Sequence, residues 1–99
     1  MNTVKFCVKL ILRKTGEMVY FSQIDLVHVL ERALRRSKLP VHYTQGFNAH
    51  AKISFYGGLK LGVAGDIPVA FYFDEDISVS DILVRLAPQL PEGLSLIPV

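Results

Sequence analysis

Hydrophobic and polar positions alternate at the start of the chain, then change period. Phe6, Val8 and Leu10 fall on one side of a two-residue repeat and Lys5 and Lys9 on the other, so 4–13 is expected to form a first strand. Thr15-Gly16-Glu17 punctuates it, and 18–21 either extends a hairpin or leads into a helix. The spacing then lengthens. Leu26, Val29, Leu30, Ala33 and Leu34 recur every three or four residues, predicting an amphipathic helix to about Ser37. Ser22, followed three residues later by Asp25, has the capping-box pattern that starts such a helix. Pro40 ends it. Residues 41–44 then make a short strand candidate, 46–52 a polar loop and 53–55 another strand. Gly57, Gly58, Gly62 and Gly65 mark turns before the apolar strand 69–73. A second helix is expected from Ser78 or Ser80 to about Ala87, with Ile82, Leu83 and Leu86 inward and Pro88 ending it, before a last strand at 94–97.

Strand–helix–strand, twice over, predicts an α+β fold. The expected form is a ferredoxin-like split β-α-β sandwich: one domain over 1–99, two helices on one face of an antiparallel sheet. The strand around Ile53 would lengthen a hairpin or add an edge. At 51% hydrophobic and 20% charged, 99 residues suffice for a small core and disorder is not expected. A single cysteine, Cys7, excludes a disulfide framework or zinc ribbon and fits a reducing cytoplasm. No apolar run reaches the roughly 18 residues that cross a bilayer, so no membrane partner is expected.

The net charge of +2 hides a division. Residues 1–65 carry ten bases and three acids, a net +7; residues 66–99 carry one base and six acids, a net −5. A split of that size can steer an anionic partner. Metal chemistry has little support, because His28, His42 and His50 lack ligand spacing and no second cysteine exists. Cys7 is expected to be a small buried apolar residue. The glycines at 57, 58 and 62 match no phosphate-binding loop, and no nucleophile–base pattern stands out. Catalysis by this chain alone, or a resident cofactor, is therefore not expected; an enzymatic alternative would need His50, His42 and Asp25 in one pocket. The basic stripe is the better clue. His28, Arg32, Arg35 and Arg36 share a helix face, and Lys38, His42, Asn48, His50 and Lys52 follow. Arginine grips phosphate with two parallel hydrogen bonds, and the interleaved Tyr43, Phe47, Phe55 and Tyr56 are of the kind that stack on unpaired bases.

The middle of the chain also resembles a known family. Phe21-Ser22-Gln23-Ile24-Asp25-Leu26, Glu31-Arg32-Ala33-Leu34-Arg35-Arg36, Leu39-Pro40 and Gln45-Gly46-Phe47-Asn48-Ala49-His50-Ala51-Lys52-Ile53-Ser54-Phe55 arrive in the order seen in the bacterial family of unknown function called radical-SAM-linked. Leu59-Lys60-Leu61-Gly62-Val63 and Leu90-Pro91-Glu92-Gly93-Leu94 are similar to it as well. Departures stand at Gln23, where the family usually has histidine, and at Ala49 and Ala51, where it has prolines; without them the loop should be less rigid. Members tend to be longer, so the chain looks like a first half or a compact relative. The resemblance singles out Ser22, Asp25, Arg32, Arg35, Arg36, Gly46, Phe47, Asn48, His50, Lys52 and Ser54, and implies a radical-SAM protein as partner. The expectation is a non-catalytic accessory module that binds RNA or another anionic partner through Arg32, Arg35, Arg36, Asn48, His50 and Lys52. Ser22, Asp25, Gly46, Phe47 and Ser54 would shape that site. The alternative is a protein-interaction or homo-oligomerisation module with no nucleic-acid binding.

Overall fold

A computed structural model describes residues 5–47, 49–57 and 64–99. Strand β1 (Phe6–Lys14) keeps the two-residue period throughout: Leu10, Leu12 and Lys14 point inward and are buried, while Cys7, Lys9 and Arg13 are exposed on the other side. Cys7 therefore departs from the expected buried position, because its place in the alternation puts it on the outer face. A 3₁₀ turn at Gly16–Tyr20 buries Met18 and Val19 and carries the chain into the helix rather than into a hairpin. The capping box forms. Ser22 Oγ accepts from the Asp25 N–H at 3.2 Å, and the Asp25 carboxylate accepts from the Ser22 N–H at 3.0 Å. Helix α1 (Gln23–Ser37) ends at Lys38 in a left-handed conformation (φ 58°), and the buried Ser37 hydroxyl donates to the Leu34 carbonyl at 2.6 Å.

Strands β2 (Ile53–Phe55), β3 (Gly65–Phe73) and β4 (Leu94–Pro98) complete a four-stranded antiparallel sheet in the order β2-β3-β1-β4. β3 lies between β1 and β2, and β1 between β3 and β4, so each strand–helix–strand unit straddles a strand of the other. The expected strand at 41–44 is replaced by something more particular. Val41 bridges Phe73 and Ile53 pairs with Phe71, so both lie against β3, and 42–52 folds outward between them as a hairpin. Tyr43 bridges Ala51, the Thr44 N–H donates to the His50 carbonyl at 2.7 Å, and the Lys52 N–H donates to the His42 carbonyl at 2.9 Å. β3 also begins earlier than hydrophobicity suggested, at Gly65, because Asp66 faces Arg13 across the register and pairs with it at 2.8 Å. Helix α2 (Val79–Leu86) is capped by Ser78, whose hydroxyl accepts from the Asp81 N–H at 3.1 Å. Pro88 sits inside the following 3₁₀ turn, Ala87–Gln89, near its start, where a missing N–H costs little.

Leu10, Leu12, Val69, Phe71 and Phe73 from the sheet meet Leu26, Leu30 and Leu34 from α1 and Ile82 and Leu86 from α2. Each is essentially inaccessible to solvent, an arrangement that stabilises the fold by about 1.5–3 kcal/mol per large side chain. Both helices cover the same face of the sheet. The other face is open among the described residues, and no helix is long and apolar enough to cross a membrane.

Candidate functional site

The register decides what the open face displays. Cys7 stands opposite Tyr72, Lys9 opposite Ala70 and Ser54 opposite Ala70 on the other side, so the outward residues of β1, β3 and β2 form one surface. Lys5 extends it beyond the start of β1, and Lys52 and Tyr56 flank β2 on the same alternation. The Lys52 ammonium lies 5.0 Å from the centre of the Tyr72 ring, and the Lys9 ammonium 5.3 Å from that of Tyr56. These are cation–π distances. Ser54 Oγ and Tyr72 Oη are 3.2 Å apart. Ala70, though it points outward, is wholly covered by these larger neighbours and makes a flat floor.

Electrostatics mark the same surface. Hydrogen bonding with Lys52, and then its charge, hold the Lys5 ammonium below its ordinary range. Two lysine head groups thus share one spot on the open face. Hydrogen bonding with Tyr72, reinforced by partial desolvation, pushes the Tyr56 phenol above its ordinary range, so it remains a neutral donor.

The hairpin 42–52 straddles the sheet edge. At its base, His42 Nδ1 meets Asp74 Oδ1 at 2.6 Å, just beyond the end of β3. Nearer its tip, His50 Nδ1 meets Glu31 Oε1 at 3.2 Å; Glu31 belongs to α1 and its side chain is only 10% exposed. His50 thus reaches the helical layer, while Lys52, two residues later, reaches the open face. Gly46 takes φ 128°, a conformation that favours glycine, and the adjacent Phe47 ring is fully exposed. Asn48 lies outside the described residues, as does 59–63 of the family-like motif.

The remaining arginines lie elsewhere. Arg32 and Arg36 line a cavity of about 400 Å³ on the helical side, and Arg35 is exposed on α1. Ser22 and Asp25 are occupied in the cap. Arg32 and Arg36 thus face the helical side while the Lys52 head group lies on the open face, and Arg35 stands one helical turn from Glu31, the partner of His50. His42, His50 and Asp25 do not gather: their partners are Asp74, Glu31 and Ser22. Among the described residues no group of three or more His, Cys, Asp or Glu side chains is placed to hold a metal ion. Sequence reasoning passed over Tyr72, Lys5 and Lys9 as binding residues. Their signal was present in the alternation of β1 and β3, which assigns all three to one face.

No curated protein and no solved structure matches the chain. A bacterial family does match, over residues 8–99, a span that takes in β3, both helices, the hairpin and all but the first positions of the open face. With nearly its whole length so covered, the chain belongs to the family described as uncharacterized protein conserved in bacteria (DUF2344).

Proposed function

We propose that the chain is a non-catalytic RNA-binding module that lays a single strand across the open sheet face, and that it serves as accessory to a radical-SAM partner. The second part rests on the resemblance of its central motifs; the first rests on the three lysines and two tyrosines gathered on one uncovered face. Each ring lies under a lysine head group. A base stacking on Tyr72 would free Lys52 for a phosphate. Stacking contributes about 1–3 kcal/mol per base, against about 0.5–1 kcal/mol for an exposed cation–π contact, so the exchange is favourable. The hydroxyls of Ser54, Tyr56 and Tyr72 offer donors and acceptors to a ribose 2′-hydroxyl, the group that distinguishes RNA from DNA. The basic helix stripe expected from sequence contributes to the general field rather than to the contact surface.

Fluorescence anisotropy with a short labelled oligouridylate, titrated over a range of salt, tests this. Three lysine–phosphate contacts on a single strand give a slope of log affinity against log salt of about −2. K5Q/K9Q/K52Q should abolish that slope, and Tyr72→Leu should weaken binding about tenfold at every salt concentration. An unchanged slope in the triple variant overturns the sheet-face site. So does loss of binding in R32Q/R35Q/R36Q with the lysine variant intact. A protein that dimerises with concentration and shows no RNA affinity overturns RNA binding altogether.

A further inference from the structure

The cavity between α1 and the 3₁₀ turn Ala87–Gln89 is built differently from the open face. Its walls are mixed: Met18, Phe21 and Leu90 are among the apolar residues, while Arg32, Arg36 and Gln89 supply the polar groups. Arg32 and Arg36 are one helical turn apart and so project side by side. Neither takes part in an ion pair among the described residues. A structural role accounts for Arg36, which lies in the last turn of α1 and offsets the negative end of the helix. It does not account for Arg32, a turn earlier. At about 400 Å³ the cavity has the size of a small-molecule site, too small for a folded partner. An adjoining hollow shares Met18 and Phe21 but carries Glu17 and Glu92, so the trough is polarised: guanidinium groups at one end, carboxylates at the other.

We infer that this cavity binds a small organic carboxylate with an apolar body. The carboxylate lies at the Arg32–Arg36 end, where guanidinium forks match its two oxygens, and the apolar part lies against Met18, Phe21 and Leu90. Glu17 and Glu92 repel an anion from the far end and fix the orientation. This site is independent of RNA binding on the opposite face, so either can fail without the other.

Octanoate is a suitable probe, followed by amide chemical shifts in an isotope-labelled sample of the whole chain. Octanoate should shift the amides of Met18, Phe21, Ala33 and Leu90 and saturate in the millimolar range expected of a fragment-sized ligand. Octanol, which lacks the charge, and inorganic phosphate, which lacks the apolar body, should each bind at least tenfold more weakly. R32Q/R36Q should weaken octanoate about tenfold while the amide spectrum of the free protein stays that of the folded chain, and Arg32→Lys, which keeps charge without the fork, should fall between. The inference is overturned if octanoate shifts amides elsewhere, if octanol or phosphate binds equally well, or if R32Q/R36Q retains full affinity.

Discussion

A methyl group added at Gly93 would lie 2.6 Å from Met18 Cγ and 2.7 Å from the Thr15 carbonyl oxygen. The backbone there has φ 95°, and the Gly93 carbonyl accepts the Thr15 N–H at 2.8 Å, so the turn before β4 is pinned against the end of β1. Gly93→Ala should therefore destabilise the fold by about 2 kcal/mol, combining backbone strain with overpacking. A lowered urea midpoint with an unchanged slope checks it. Met18 also lines the carboxylate cavity, so the same substitution should disturb octanoate binding. The cap of α1 gives a second prediction: Ser22→Ala should cost about 1 kcal/mol in the same assay. It gives a pH dependence too. Hydrogen bonds from Ser22 hold the Asp25 carboxyl below its ordinary range, so its folded pKa lies under its unfolded value. Such a group stabilises fully above the unfolded value, about 3.9, and that stabilisation fades as pH falls through the folded one. The Arg13 side chain lowers Asp66 in the same direction. In D25N/D66N the acid limb of a stability-versus-pH curve should be shallower than in the unsubstituted protein; an identical limb would contradict both assignments.

At the scale of elements, the hairpin 42–52 is tied to the helical layer by His50, which reaches across to α1. His50→Ala would leave the largely buried Glu31 carboxylate without that partner and should cost about 1 kcal/mol. Faster amide exchange at Thr44 and Lys52, with β1 and β3 unchanged, would show that only the hairpin loosens. This hairpin is also where sequence reading stopped short. Helix α1 was legible because fifteen residues sustain one period and a capping box announces its start. The faces of β1 were legible for the same reason, down to Lys5 and Lys9 on one side. Residues 41–44 and 51–55 are too short to carry a period of their own. Their pairing depends on β3, whose partner residues lie far along the chain. The split of the basic residues between two faces was hidden likewise: helical spacing groups Arg32 with Arg36, but nothing local shows that Lys52 crosses to the other side of the sheet.

For the whole molecule, the division of charge along the chain is partly undone in space. Arg13 from the basic portion pairs with Asp66 across the β1–β3 register. Lys9 and Lys52 remain on the open face beside rings, with Lys5 next to Lys52, which concentrates the surplus there. Reversing one of them tests whether the field or a single contact governs binding. Lys9→Glu should weaken oligouridylate binding at low salt more than Lys9→Gln does, and the two should converge as salt rises and screening shortens the reach of the charge. A gap independent of salt would argue for a local contact instead.

The hairpin has a last consequence, for growth of the sheet into a polymer. An exposed edge strand is a template on which further chains can add, the first step towards fibres. Here the β2 edge is only three residues long and is interrupted by the chain's own outward fold. At the opposite edge, β4 is five residues long and carries Pro98, which has no N–H to offer an incoming strand. Sheet-to-sheet polymerisation is thus discouraged at both margins, and the broad surface between them stays available at concentrations where a cleaner-edged sheet would aggregate.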